Sequence, residues 1–389
     1  MKLHEFQAKA QLTAYGLAVP RGRVALTSEE AFVAARDLAP SASSLAVKAQ
    51  IQAGGRGLAG GVRMVSTPEE AAQATDTLIG KKVVTSQTGA RGQLVRQVLV
   101  EQAIQPCRTL YLSLSIDTFA GEIAVLAGAE GSDDIEQKLL YGQARLERLP
   151  LGSGSRFDRV QVCELAVCIG LDRDLVDRFQ DLLERLRRAF IELDATLIEI
   201  NPLAITAEGE FIALDAKIVL DDNALFRHPD LAALAEGDHD ETEIVAQRRN
   251  LNYVAMDGNI GLVVNGAGLG LATLDMVHNA NGRPANFMDV RTTATSLDVA
   301  FGFTLLLNNP AVRSILVNVH GGGMQPCDII ADGLGVAMRR TGRVCPTVVR
   351  LAGNNAEYAR FRFDNFGCKV VDCPDMWTAV THAVAAANA

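Results

Sequence analysis

The sequence predicts a two-domain protein of the α/β and α+β classes, with a doubly wound parallel sheet in its second half. Three observations predict it. β-type runs at 259–264, 314–319 and 347–351 are each followed by a glycine-bearing loop and a helical stretch, the repeated order that builds a parallel sheet with helices on its faces. In the first half, two β-type runs flank Glu208-Gly209-Glu210 and read as a hairpin. Between the halves the composition shifts over 230–249, where Glu236 to Glu243 forms an acidic run. That shift divides the chain into domains at 1–235 and 251–389, with 236–250 as a linker.

From the N-terminus, Glu5 to Tyr15 has the spacing of a short amphipathic helix, ended by Gly16 and followed by Pro20 in a turn. Arg23–Leu26, Leu45–Lys48 and Gln97–Glu101 are short β-type runs. Thr27 and Thr67, followed by Glu29-Glu30 and Glu69-Glu70, mark helix starts: a hydroxyl to cap the first N–H groups and acids in the first turn. Gly131 to Arg156 is polar and glycine-rich and reads as an irregular surface loop. Asp174 to Leu193 alternates at helical spacing and predicts a long amphipathic helix. A last β-type run, Cys368–Val371, closes the second half. No internal repeat or low-complexity tract stands out.

Composition narrows the function. A length of 389 residues leaves room for two or three cores at roughly 150 residues each. With 46 acidic and 37 basic residues the net charge is -9, and there is no basic block; such a surface is poorly suited to nucleic acid or an anionic membrane, and neither partner is expected. No run approaches the ~18 apolar residues of a membrane span, and Met1 to Lys9 lacks the features of a signal or transit peptide. The expected compartment is the cytoplasm. The seven cysteines are odd in number, scattered and never spaced as CxxC, which predicts reduced thiols used mainly for packing. Any phosphate or carboxylate must then be held by local groups. The 34 glycines, a share above the usual ~7 %, offer such groups as exposed backbone N–H donors.

Two constellations carry chemistry. In the first, Lys48 ends a β-type run and is followed by Ala53-Gly54-Gly55-Arg56-Gly57. Glycines let backbone N–H groups approach phosphate oxygens, while Lys48 and Arg56 supply positive charge. By itself this also fits a flexible glycine turn with a surface lysine. The hairpin adds to it. If its centre lies near residue 208, Asn201 faces Asp215 and Glu199 faces Lys217, and all four project from one face. A carboxylate and an amide oxygen so placed are hard ligands suited to Mg²⁺ beside nucleotide phosphates; a polar ladder on a solvated hairpin is the alternative, and a one-residue slip would spoil the set. In the second constellation, Asn265-Gly266-Ala267-Gly268 and His320-Gly321-Gly322-Gly323-Met324 each follow a strand and precede a helix. Free N–H groups and the positive helix end make such turns anion sites, unless they are ordinary loop glycines. His320, just before the turn, fits a packing or loop role.

The order of LHEFQAK, a lysine, AGGRG, VE near residue 100, EINP, LDAK, VNGAG, PANFMDV and VRLAGNN resembles the β subunit of succinyl-CoA synthetase, nearly end to end. Malate-CoA ligase β subunits and parts of ATP-citrate lyase share this plan. The resemblance implies an N-terminal ATP-grasp domain and a C-terminal flavodoxin-like domain. It implies ATP as co-substrate, with Lys48 and Gly55-Arg56-Gly57 on the phosphates and Glu101 with the Ile104 backbone on the adenine and ribose side. Asn201 and Asp215 would ligate Mg²⁺, and Glu199 would sit near the phosphoryl group in transit. Asn265, Gly321, Gly322, Gly323 and Met324 would contact the carboxylic acid. The catalytic histidine and the CoA site would belong to a partner α subunit, in an αβ or α2β2 assembly.

The reaction expected is ATP + carboxylic acid + CoA giving acyl-CoA, ADP and phosphate, through a phosphohistidine on the α subunit. Departures from the family pattern cluster on the acid side. Asp289-Val290 is followed by Arg291-Thr292-Thr293 where the family has glycines, and the turn from Gly321 continues through Gln325-Pro326-Cys327 without the family's arginine. Pro326 is suited to the first helical turn. On the nucleotide side the usual glutamate is Thr109, and Pro20 resembles ATP-using members. Succinate is one expected acid; malate, citrate or a sulfonated acid is the alternative that Arg291 motivates. A non-catalytic nucleotide-binding paralogue and a stand-alone ATP-grasp ligase are the other readings.

Overall fold

Helices start where the sequence caps them. The Thr27 and Thr67 hydroxyls accept from the Glu30 and Glu70 backbone N–H groups at 3.2 and 3.1 Å, satisfying donors that the first turn leaves free. The computed structural model describes all residues except 42–43, 89–91, 133, 152–155, 235–240, 323–324 and 367–369. The chain forms two units, Met1–Ala235 and Glu236–Ala389.

The first unit opens with helix α1 (Glu5–Ala14), strand β1 (Gly22–Ala25), α2 (Ser28–Leu38), β2 (Leu45–Ala49), β3 (Val62–Val65) and α3 (Pro68–Leu78). Short β4 (Lys82–Val83) and β5 (Gln93–Leu94) precede β6 (Val98–Gln102). There follow β7 (Arg108–Asp117), β8 (Glu122–Gly128), α4 (Ile135–Leu140), β9 (Leu146–Pro150), α5 (Arg159–Cys168) and α6 (Val176–Glu192). β10 (Ala195–Ile205), β11 (Phe211–Ala213), β12 (Ala216–Leu220) and α7 (Pro229–Leu234) complete it.

Among the described residues these form two larger antiparallel sheets and the short antiparallel pair β4–β5. One has the order β1-β6-β2-β3, and its core joins Val47 and Val100 to the apolar stripe Ala31, Ala34, Ala35 and Leu38 of α2. The other has the order β11-β10-β7-β8-β9, with β12 also on β10. Its core sets Leu112, Leu114, Ile198 and Ile200 against Phe179, Leu183 and Leu186 of α6, the long amphipathic helix the spacing predicts. The surface loop expected from Gly131 to Arg156 is corrected: it holds α4 and β9. β9 pairs with β8 throughout and buries Leu149, so cross-strand pairing organises a segment whose polar composition reads as loop.

The second unit contains α8 (Glu241–Gln247), β13 (Leu251–Ala255), β14 (Ile260–Val264), α9 (Ala267–Asn279), β15 (Asn286–Val290), α10 (Ser296–Asn308) and β16 (Ser314–Gly321). α11 (Cys327–Thr341), β17 (Thr347–Gly353), α12 (Ala356–Asn365), β18 (Val370–Asp372) and α13 (Met376–Asn388) follow. The sheet order is β13-β15-β14-β16-β17-β18. All neighbours run parallel except β13, an antiparallel edge strand on β15. Alternate residues of each strand serve opposite faces: Val263 and Val317 pack with Phe303, Leu334 and Phe363, while Leu262 and Leu316 pack with Val277, Val380 and Ala383. Burial on both faces explains why these strands are continuous apolar runs. The strand order reverses around β14, so the turns after β14, β15 and β16 gather at one end of the sheet, where such folds bind ligands.

Candidate active site

In the first unit, β10 and β12 carry the predicted hairpin set. Glu199 is paired with Lys217 and Ile200 with Ala216, and Asn201 N–H donates to Asp215 O at 3.3 Å. The register is the one the sequence suggested. Between Ile200 and Leu203 the pairing of β10 with β7 slips by one residue, and Pro202 there has no N–H to give to a ladder. The resulting bulge sits at Asn201, beside the site it serves.

Glu199, Asn201, Asp215 and Lys217 all line a cleft of about 310 Å³, with Gly54, Gly55 and Arg56 of the glycine loop and Glu136 of α4. Gly55 has φ +73°, a conformation that favours a residue without a Cβ. Gln87 ties the loop to α4: its side-chain oxygen accepts from Gly54 N–H and its amide donates to Glu136, both at 2.9 Å.

Beneath the cleft lies a buried ion cluster. Lys48 Nζ is 3.0 Å from Glu5 and 2.5 Å from Glu101. Lys9 Nζ is 2.8 Å from Glu5 and 2.6 Å from Glu101. Arg56 Nη2 lies 2.8 Å from both Glu5 and Asp215. Both lysines also donate to Leu214 O, at 2.8 and 2.7 Å. Burial alone would raise the Glu5 pKa, but Lys48, Lys9 and Arg56 hold it well below its ordinary value. Burial likewise opposes the charge of Lys48 and Arg56. The facing acids win and push both pKa values up, so both side chains stay cationic.

Glu199 behaves differently. Burial raises its pKa; Lys217 opposes the shift, while Asp215 and Glu136 add to it. Burial beside Glu199 also pushes the Tyr111 hydroxyl up to about 12. Asn201 Nδ2 donates to Ser132 O at 3.1 Å. Its Oδ1 is buried and has no hydrogen-bond partner among the described residues.

The structure thus brings Gly55, Arg56, Glu199, Asn201 and Asp215 to one cleft. Lys48 and Glu101 lie below it in the ion cluster, Gly57 continues the glycine loop, and Ile104 follows β6 outside any helix or strand. Thr109 Oγ1 donates to Gly131 O at 3.1 Å. Sequence reasoning from the residues missed Glu5, Lys9 and Gln87. For Glu5 and Lys9 a signal existed: they share the face of Ala8 and Leu12, all four buried, and an i,i+4 acid–base pair on an apolar face calls for a partner in the interior.

In the second unit, Asn265 follows β14 and Gly321 ends β16. The Asp289 carboxylate of β15 accepts from Gly266 N–H at 2.5 Å and from Asn252 Nδ2 at 3.1 Å. Arg291 donates through Nε and Nη2 to Asn252 Oδ1 at 2.9 and 2.7 Å. With its amide nitrogen turned to the 291–293 loop, the orientation that satisfies both ends, Gln325 donates to the Arg291 and Thr292 carbonyls at 3.1 and 3.2 Å. Gly322 N–H donates to Gln325 O at 3.2 Å, so the altered loop and the glycine turn are one connected structure. Gly323 and Met324 lie outside the described residues. Pro326 is the N-cap of α11 rather than its first helical residue.

The ATP-grasp domain family matches residues 2–205 and the CoA-ligase family matches residues 263–383. The chain is 43 % identical to the ADP-forming succinate–CoA ligase subunit beta of Anaeromyxobacter dehalogenans (strain 2CP-C), with 100 % of both chains covered. It is 41 % identical to the subunit of the same name from Acidiphilium cryptum (strain JF-5), with 99 % of each covered. Among solved structures it is similar to ATP citrate lyase from Methanothrix soehngenii in complex with citrate and coenzyme A. That TM-score is 0.76, with 16 % identity and 99 % of both chains covered, a likeness of fold.

Proposed function

The chain belongs to the family of ADP-forming succinate–CoA ligase β subunits, and on that basis we propose that its first unit binds ATP with Mg²⁺ and starts phosphoryl transfer toward a partner α subunit. The chain is the β subunit of an acid–thiol ligase. The observation that carries the proposal is the convergence of Gly55, Arg56, Glu199, Asn201 and Asp215 on one cleft.

Each group has a physical part. The Gly54–Gly55 turn and Arg56 offer backbone donors and fixed positive charge to phosphate oxygens, and Lys48 adds charge from just below. Glu101 and Ile104 stay with the adenine and ribose side on the strength of the resemblance, while the Glu101 carboxylate holds Lys48 in place. The donor set at Asn201 and Asp215 suits Mg²⁺: two hard oxygens, of which Asn201 Oδ1 is buried without a partner among the described residues. Bound there, the ion would neutralise phosphate charge. Glu199 keeps its proton to higher pH than an ordinary glutamate, which suits a side chain beside a phosphoryl group that would repel a second anion.

The phosphoryl group then goes to a histidine of the α subunit, which also supplies the CoA site; the assembly is αβ or α2β2 and cytoplasmic. Among the described residues no histidine lines the cleft, and no helix is long and apolar enough to cross a membrane. In the second unit Asn265 and the turn at Gly321 and Gly322, continued by Gly323 and Met324, bind the acid. The relatives' name favours succinate. One observation favours an acid with a further anionic or hydroxyl group: Arg291 is exposed, held on one edge by the neutral Asn252, and makes no salt bridge among the described residues.

The test is co-expression with an α subunit and a panel of acids, following ADP formation. ADP release that needs acid, CoA and the α subunit together supports the proposal. Completion of the reaction by this chain alone overturns the partner requirement. ATP binding without ADP release overturns the catalytic role.

A further inference from the structure

Arg56 is committed in three directions. Its Nη1 donates to Ala49 O at 2.9 Å, and its Nη2 reaches Glu5 Oε2 and Asp215 Oδ2, both at 2.8 Å. Asp215 is committed as well, because its Oδ1 accepts from the Ala216 N–H at 2.8 Å. The carboxylate assigned to Mg²⁺ is therefore already satisfied by one backbone donor and one cation. A divalent ion taking Oδ2 would lie against a guanidinium, and two cations repel strongly where water is scarce. Asn201 Oδ1, the other donor, stays unpaired among the described residues beside this closed carboxylate.

The charges of the cluster balance. Lys9, Lys48 and Arg56 face Glu5, Glu101 and Asp215, three against three, through contacts of 2.5 to 3.0 Å. Asp215 is the open member: its side chain is 34 % exposed against 6 % for Arg56 and 2 % for Glu5. If Nη2, which carries both acid contacts, turns off Asp215, the Nη1 bond to the Ala49 carbonyl stays as the pivot and the guanidinium loses one partner. A phosphate oxygen replaces that partner. A cation arriving alone would leave surplus positive charge in a buried cluster, and a phosphate alone surplus negative charge; arriving together, each offsets charge the other brings.

We propose that Arg56 is a latch on the cation site, holding Asp215 closed to a divalent ion until a nucleotide phosphate draws the guanidinium away, so that ion and nucleotide bind as one unit. This rests on the nucleotide reading of the cleft. By linkage the effect is reciprocal: the bound ion favours the phosphate as much as the phosphate favours the ion.

The test uses Mn²⁺ as probe, with free Mn²⁺ followed by electron paramagnetic resonance in a titration of the full chain without nucleotide. Arg56→Gln should bind Mn²⁺ about tenfold more tightly than the wild type. Lys2→Gln removes another cation lining the same cleft, one that forms no ion pair with Asp215 among the described residues, and should change the affinity less than about twofold. Equal or weaker Mn²⁺ binding by Arg56→Gln, or an equal gain in Lys2→Gln, overturns the latch. If circular dichroism shows Arg56→Gln unfolded, the reciprocal measurement decides: Asp215→Asn should bind metal-free ATP in EDTA about tenfold more tightly than the wild type, and no gain overturns the latch. Mg·ATP titrated into the wild type tests the underlying reading separately. No binding there removes the reading and the latch together. Normal Mg·ATP binding with an unmoved Mn²⁺ affinity in Arg56→Gln removes the latch alone.

Discussion

Asn265 and His320 exchange two hydrogen bonds: Asn265 Nδ2 donates to His320 O, and His320 N–H donates to Asn265 Oδ1, both at 2.8 Å. The side chain thereby extends the pairing of β14 and β16 by one rung at the carboxyl end of the sheet. With its amide tied to the His320 backbone, Asn265 would join the proposed acid site as the support of the Gly321–Gly322 turn. Asn265→Ala leaves a strand-end donor and acceptor unmade and should cost about 1–3 kcal/mol in urea unfolding. In the coupled assay KM for the acid should rise, with KM for ATP unchanged; a change confined to ATP would contradict this assignment.

Glu5 joins three cations in a nearly dry cluster. Glu5→Gln leaves Lys9, Lys48 and Arg56 against two acids, and breaking one side of a buried charge network typically costs about 3–5 kcal/mol. The pH dependence has a definite sign. The folded Glu5 pKa is held below its ordinary value of 4.5, so its contribution is present above that value and is lost as pH falls through the folded pKa. Urea unfolding of the wild type from pH 7 to pH 3 should show this loss, and the slope should be shallower in Glu5→Gln.

Glu199 has the opposite sign. Its folded pKa is raised, so its ionisation works against folding as pH rises from the unfolded value of 4.5 through the folded one. Glu199→Gln should therefore melt at a higher temperature than the wild type at pH 7, while the two converge at pH 4. If Glu199 acts beside the transferring phosphoryl group, ADP formation should fall by about 10²-fold. A variant that is both less stable and fully active at pH 7 would remove Glu199 from the site.

Gly353 ends β17 with φ +86°, and a Cβ there would press into the Gly321 carbonyl oxygen. Gly353→Ala combines backbone strain with displacement of the Gly321–Gly322 turn. It should lower stability by about 1–3 kcal/mol and raise the acid KM, measured by urea unfolding and by the coupled assay. Neutral behaviour in both would show that the turn tolerates displacement.

Arg291→Ala tests which acid the proposed site takes. If the free edge of Arg291 binds an extra anionic group, Arg291→Ala should lower kcat/KM for that acid by about 10- to 100-fold, the scale of a charged hydrogen bond, and leave succinate within about twofold. An equal loss for both acids would make Arg291 a support for the loop and not a selector.

The hairpin register, the capped helices, the parallel sheet of the second unit and the Gly55, Arg56, Glu199, Asn201 and Asp215 set of the cleft were legible in the sequence. Period-2 alternation, capping hydroxyls and glycine turns are local signals, readable without the fold. Less was legible where pairing is non-local. α4 and β9 hide in a polar segment because β9 exists through its pairing with β8. β13 is an antiparallel edge because β15 accepts it in that direction. Which charges meet depends on the tertiary fold. Arg56 and Asp215 stand 159 residues apart in sequence and 2.8 Å apart in space. Glu5 becomes the hub of the cluster because α1 packs its charged face against the two sheets; the LHEFQAK run that contains it does not show which cations it meets. Partnering of long side chains depends on distance and burial, which residue spacing along a chain does not encode beyond the next helical turn or the facing strand.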